Sequence, residues 1–280
     1  MCRFVLYQGP EIPIADLVTR PSHSIIHQSF KAREREEPLN GDGFGLAWYT
    51  PALSAEPALF RSITPAWNNQ NLLHLARVTT SRTILAHVRA ATSGLSVMET
   101  NCHPFVSGRY AFMHNGFIED FHAVRRRLLA TLSDRAFGVI GGTTDSEHAF
   151  ALWLDQLDGE GADAMADAMA RTVARIAELA ADTHGPSLLN LAVTDGVNAV
   201  VSRSTTGSPE GANSLYVLSG RRYICNPDGE GHTEEAHPIE CSVLVASEPL
   251  FPDPAWHRVP PNQMVVLRGT GDVELRDCTP

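Results

Sequence analysis

The sequence predicts an α+β fold in which helices cover a two-layer sheet. Three observations predict it. β-branched and aromatic runs bounded by turn residues recur along the whole chain. The helical stretches among them follow no regular strand–helix alternation. Many of the strand candidates are apolar on both faces, as strands are in sheets covered on both sides. A chain of 280 residues, 43% of them apolar, can bury a substantial core, and one domain spanning 1–280 is the expected organisation.

In chain order the strand candidates are 3–8, 45–49, 83–89, 110–113, 188–193, 199–202, 215–218, 242–246 and 264–267. Helix candidates are 14–19, 69–79, 121–132, 146–157 and 162–181. The last places Met165, Met169, Val173, Ile176 and Ala180 at spacings of three and four, one apolar stripe suited to core packing. Breaker-rich connections at 50–57, 205–213 and 226–238 read as surface loops, the last two as hairpin or insertion loops.

Charge and cysteine usage narrow the function. With 22 Lys and Arg against 32 Asp and Glu, the net charge is −10, which disfavours a nucleic-acid partner. The densest basic run, Arg125-Arg126-Arg127, lies in a helix candidate and reads as a solvated face. No apolar stretch approaches the length of a membrane span, and residues 1–9, cut short by Pro10 and Pro13, do not read as a secretory signal. A cytoplasmic location is expected. Cys2, Cys102, Cys225, Cys241 and Cys278 are odd in number and form no C-x-x-C pair, which argues against a disulfide framework and a four-cysteine zinc site. His23 and His27 stand four apart without a third ligand, and Pro238 breaks the His237 to Cys241 spacing, so neither metal nor cofactor is expected. Gly41-Asp42-Gly43-Phe44-Gly45 opens a strand and lacks the lysine of a phosphate loop. Its glycines suit close approach of backbone to a substrate or a tight turn, with Asp42 buried and hydrogen-bonded nearby.

Cys2 is the most informative residue. If Met1 is removed, one residue carries both a thiol and a free α-amine, whose pKa of about 7.7–8.0 lets it take the thiol proton near neutral pH. The alternative is a small buried residue opening a first strand. Downstream, Arg89 ends a strand candidate, where it can clamp a carboxylate or make a surface ion pair. Asn115-Gly116 follows another strand candidate and reads either as a hairpin turn or as an oxyanion hole built from the Asn115 amide and the Gly116 N–H. Asp145 stands at a helix entrance, where Thr144 or Asp145 can cap and Glu147 fits the capping box. There it can also receive an α-ammonium group.

The segments Met1-Cys2-Arg3-Phe4, 40–45, 86–92, Asn101-Cys102-His103-Pro104-Phe105, His114-Asn115-Gly116, Thr144-Asp145-Ser146-Glu147 and Ala246-Ser247-Glu248-Pro249, with Trp256 and Val259-Pro260, resemble class-II glutamine amidotransferases. That resemblance implies the four-layer αββα sandwich of N-terminal nucleophile hydrolases. It implies Cys2 as nucleophile, Arg89 on the substrate α-carboxylate, Asn115 and Gly116 as oxyanion hole and Asp145 on the α-ammonium. Thr92 and His103 fall in segments that line the glutamyl pocket. Ala90 stands where many members have Trp, and nothing after about residue 270 leaves room for a synthase domain, which implies a stand-alone hydrolase or one subunit of a complex.

Residues 17–26, 63–71 and 187–190 bring the resemblance closer to one branch, the amidotransferase-type subunits of the alternative glutathione-degradation complex known from yeast. That branch implies cleavage of the γ-glutamyl bond of glutathione together with a metallopeptidase-like partner subunit. The sister branch of ergothioneine-type γ-glutamyl hydrolases usually has Ala where Gly41 stands and lacks the 101–105 arrangement, so it ranks second. A glutaminase, and a regulatory subunit without catalysis, stay open as further readings.

Overall fold

The computed structural model describes residues 2–34, 39–90, 97–269 and 271–279. Two antiparallel sheets form its centre. The first contains β1 (Arg3–Pro13), β2 (Phe44–Trp48), β3 (Ala58–Ser62), β4 (Thr80–Val88), β9 (Tyr216–Cys225), β10 (Gly231–Glu234), β11 (Ser242–Ala246) and β12 (His257–Arg258). Its order is β10-β9-β11-β1-β4-β2-β3, with β12 pairing beside β9. The second contains β5 (Phe105–Ser107), β6 (Tyr110–Phe117), β7 (Leu188–Thr194), β8 (Ala199–Thr205), β13 (Gln263–Arg268) and β14 (Asp272–Asp277), in the order β14-β13-β8-β7-β6-β5. The helices are α1 (Ala15–Val18), α2 (Ile25–Lys31), α3 (Gln70–Val78), α4 (Phe121–Leu129), α5 (Asp134–Phe137), α6 (Asp145–Gln156) and α7 (Gly161–Leu179).

Side-chain alternation sorts these elements into layers. On β1, Phe4 and Leu6 point to the other sheet, where they meet Ala111 and Met113 of β6 and Val201 of β8. Val5 and Tyr7 point the other way, into a cluster with Leu17, Ile25 and Leu72 from α1, α2 and α3. Phe112 of β6 faces outward onto Phe150 and Met169 of α6 and α7. The layers therefore run helix, sheet, sheet, helix, which is the αββα sandwich that the family resemblance implies. Strands apolar on both faces read as they do because each face meets a core, and full burial of a side chain such as Leu6 contributes about 1.5–3 kcal/mol. The expected α7 stripe lies wholly in the outer core of the second sheet. Among the described residues no helix is long and apolar enough to cross a membrane.

Several boundaries differ from the sequence expectation. β6 does not turn at Asn115-Gly116 but continues to Phe117, with Asn115 opposite Asn190 and Gly116 opposite Leu189. The hairpin reading of Asn-Gly fails because Gly116 sits where a Cβ would meet the Leu188 carbonyl oxygen at 1.8 Å, so a close strand approach sets the residue type. Segment 226–238 holds a hairpin, because β9 runs on to Cys225 and pairs with β10. Short elements such as α2, β3 and β14 went unexpected because five to seven residues carry too few apolar positions to set a period. β14 is an exposed edge whose partner strand ties Arg268 to Glu274 at 2.7 Å.

Candidate active site

The register of β1 against β4 pairs Arg3 with Val88, so Cys2, one residue before β1, comes opposite Arg89, one residue after β4. Alternation then places Cys2 on the same face as Phe4, Arg89 on the same face as Leu85, and Asn115 on the same face as Met113. All three face the gap between the sheets at one end of the sandwich, and all three are buried. Asp145 closes this end as the first residue of α6 and is also buried.

Each of these residues is held by its surroundings. The Arg89 backbone is clamped to the glycine loop: its N–H donates to Gly43 O at 2.9 Å and its carbonyl accepts from Asp42 N at 3.0 Å. The Arg89 Nη1 also donates to Asp42 O at 3.4 Å. Gly43 is required in that loop, because its φ is +114° and a Cβ would meet the Cys102 sulfur at 2.7 Å. Asp42 is half-buried rather than buried as expected. Asp145 Oδ2 accepts from Ile118 N at 2.7 Å and Oδ1 from Ser146 N at 2.8 Å, which fixes its carboxylate.

Thr144 caps α6 by accepting from Glu147 N at 3.2 Å. The reciprocal half of the capping box is not made. The Glu147 carboxylate accepts instead from Gly141 N at 3.1 Å and Gly142 N at 2.6 Å, tying down the loop that leads into Asp145.

Burial pushes the Cys2 thiol up from its ordinary value, with Arg89 pulling it down and Asp145 pushing it up. The thiol lies 3.7 Å from Ala90 O. Thus both charged residues that the sequence marks for the two ends of an amino acid act electrostatically on Cys2. A thiol raised in this way needs a base to ionise it.

His103 stacks on His87 with ring centroids 4.0 Å apart and meets the edge of Phe105 at 4.6 Å. Burial holds its pKa well below the ordinary histidine value, so it is neutral. Among the described residues neither of its ring nitrogens has a hydrogen-bond partner, and the same is true of His87 Nδ1 and Asn115 Oδ1. His114 Nε2 donates to Leu188 O at 2.9 Å and its Nδ1 meets Ser146 Oγ at 3.0 Å, linking β6 to the start of α6. Thr92 lies outside the described residues. His23 and His27 do face each other, Nδ1 to Nδ1 at 3.2 Å, but the other His23 ring nitrogen goes to Glu248 at 2.8 Å. Among the described residues no group of three or more His, Cys, Asp or Glu side chains could hold a metal ion.

Sequence reasoning assigned no role to Arg3, His87, His114, Ser247 or Glu248, all buried at this end. The signal was present in motif 246–249, where a serine and a glutamate follow an apolar strand.

Residues 16–280 match the family model of class-II glutamine amidotransferases. The probable glutamine amidotransferase DUG3 of Saccharomyces cerevisiae is 43% identical over 293 residues, covering 96% of this chain and 82% of its own. The gamma-glutamyl-hercynylcysteine sulfoxide hydrolase of Mycolicibacterium smegmatis is 28% identical, covering 96% of each chain. Among solved structures, a glutamine aminotransferase class-II domain protein from Silicibacter pomeroyi aligns over the whole of both chains with TM-score 0.67 and 26% identity. Glutamine phosphoribosylpyrophosphate amidotransferase of B. subtilis, at TM-score 0.62 and 15% identity, shares the fold over 99% of this chain and 49% of its own.

Proposed function

This chain belongs to the class-II glutamine amidotransferases and is a hydrolase of that type, and from that premise we propose that it cleaves the γ-glutamyl bond of glutathione with Cys2 as nucleophile. The observation that carries the reading is the β1–β4 register, which sets Cys2 opposite Arg89 while Asn115 faces them from the second sheet. In this scheme Met1 is removed and the Cys2 α-amine takes the thiol proton. Sγ then bonds to the γ-carbonyl carbon, and the oxyanion accepts from Asn115 Nδ2 and Gly116 N–H. The C–N bond breaks, the leaving amine of cysteinylglycine takes up the proton, and water resolves the thioester to glutamate. Arg89 pairs with the glutamyl α-carboxylate, and Asp145 receives the α-ammonium. By the family resemblance alone, His103 and Thr92 are assigned to the pocket wall.

The 43% identity to the yeast relative supports this branch, and from the resemblance a metallopeptidase-like partner subunit is part of the reading. Five free cysteines support a reducing, cytoplasmic setting. The site reads only the glutamyl end, so the experiment varies the leaving group. Purified protein, alone and with such a partner, is given glutathione, glutamine and γ-glutamyl peptides side by side, and glutamate release is measured. Glutathione is expected to turn over fastest. Glutamate from glutamine alone refutes the glutathione assignment. Faster turnover of a γ-glutamyl cysteine sulfoxide conjugate favours the second branch, for which the mycobacterial relative of matching length speaks. No turnover of any of them leaves only the regulatory reading.

A further inference from the structure

Three segments that this scheme does not use meet at one carboxylate. Glu248, two residues beyond β11, is 1% exposed and accepts four donors among the described residues. Oε1 takes Arg3 Nε at 2.6 Å and Glu34 N at 3.2 Å, and Oε2 takes His23 Nε2 and Arg33 N, both at 2.8 Å. Burial alone would push its carboxyl up, but the His23 and Arg3 contacts hold it down at about 2, so it stays ionised. The rest of the Arg3 guanidinium turns back to the start of the chain: Nη1 donates to Cys2 O at 2.9 Å, and Nη2 to Glu34 O at 3.2 Å.

The neighbouring Ser247 does a parallel job. Its Oγ accepts from Phe4 N at 3.1 Å and from Asn115 Nδ2 at 3.2 Å. Its own N–H donates to Phe4 O at 3.0 Å, and its carbonyl accepts from Ser214 Oγ at 2.8 Å, so the fully buried residue is held through Oγ, N and O. The terminal torsion of asparagine is broad and roughly two-fold, so nothing intrinsic keeps the Asn115 amide nitrogen toward the gap. Among the described residues Asn115 Oδ1 has no partner and the amide's contact is with Ser247 Oγ, which holds its nitrogen when the hydroxyl accepts rather than donates. One N–H of Nδ2 is used on Ser247, and the second is left for an oxyanion. A flipped amide would aim a carbonyl oxygen at the developing negative charge.

We propose that Ser247-Glu248 is a positioning unit with divided tasks. Ser247 orients the Asn115 amide as oxyanion donor, and Glu248, acting through Arg3, fixes the Cys2 peptide so that the thiol meets its base. The inference rests on the proposed function, in which Cys2 attacks and Asn115 serves the oxyanion.

The test compares amide hydrolysis with alkylation of Cys2 by iodoacetamide, followed by intact mass. Alkylation is substitution at a saturated carbon and forms no oxyanion, so it reports the nucleophile alone. Ser247→Ala should lower kcat about 10- to 100-fold at unchanged KM, with Cys2 alkylation within about twofold of wild type. Ser247→Thr, which keeps the hydroxyl, should recover most of the loss. Glu248→Gln should lower kcat and alkylation together. Because that change disturbs a buried ion pair, Arg3→Lys serves as the second variant, keeping a cation on Glu248 while losing the arm to Cys2 O. A Ser247→Ala enzyme with wild-type kcat, or one whose alkylation falls in step with its kcat, overturns the divided roles. So does an Arg3→Lys enzyme that is alkylated at the wild-type rate. If complete alkylation of Cys2 leaves turnover intact, the nucleophile reading falls and this inference with it.

Discussion

The layer between the two sheets has two ends, and they treat buried polar groups differently. At the end away from Cys2, side chains close on backbone. Tyr49 Oη donates to Arg109 O at 2.8 Å and to Thr194 O at 3.0 Å, and Thr83 Oγ1 donates to Gly196 O at 2.8 Å. Asp195 Oδ1 accepts from Val197 N and Asn198 N, stitching the β7–β8 turn. The exception there is Gln8 Oε1, beside a cavity of about 200 Å³ lined in part by Tyr49 and Arg82. At the Cys2 end, His87 Nδ1, both His103 nitrogens and Asn115 Oδ1 stand unpaired among the described residues. An unmet buried polar group costs about 1–3 kcal/mol. One end therefore contributes stability through satisfied turns, while the other keeps buried polar atoms without a protein partner among the described residues, as the proposed site for a polar substrate requires.

The contrast is tested most severely at Cys2. Cys2→Ala should cut turnover by about 10⁴-fold or more while the melting temperature stays near that of wild type; wild-type turnover would erase the chemical distinction between the ends. Next in size is Arg89→Ala, which should raise KM about 10- to 100-fold and lower kcat less, as expected when a charge-assisted contact of about 1.5–3 kcal/mol is lost. Steady-state kinetics over a wide substrate range would show it, and an unchanged KM would remove Arg89 from the substrate. The smallest effect belongs to the far end. Tyr49→Phe strips two backbone carbonyls of their donor and should lower unfolding free energy by about 1–2 kcal/mol, read by urea titration, with kinetics untouched. Kinetics that move with stability would show that the two ends act as one.

Much of the candidate site was legible because the chemistry proposed for it depends on residue types that sit at element ends in short motifs. Cys2, Arg89, Asn115 and Asp145 were each visible beside a bland alternative; strand register brings the first three to one end of the sandwich, and the start of α6 brings Asp145 there. The Asn115-Gly116 pair shows where local reading stops. A glycine that favours a turn by its own preferences is here demanded by Leu188 O, more than seventy residues away in sequence. Ser247 and Glu248 were missed for the same reason. A serine and a glutamate after a strand look like an exposed loop until β11 is known to lie beside β1. α2 escaped because polar Gln28 and Ser29 share its buried face with Ile25, and β14 because its alternation rests on Val273 and Leu275 alone.

The central place of β1, between β11 and β4, has a consequence for the order of events in synthesis. Cys2 is made before the rest of β1, yet Ser247 and Glu248, just beyond the neighbouring strand β11, are made some 240 residues later. At about 5–20 residues per second, that interval is roughly 10–50 seconds. Throughout it β1 lacks its β11 partner, so Cys2 cannot take up its buried place and, in the proposed scheme, stays open to the peptidase that would remove Met1. An unfinished chain, for its part, carries the thiol without the apparatus to use it. In the proposed scheme the burial of Cys2 therefore waits for residues 242–248, and hydrolysis cannot begin before they are made.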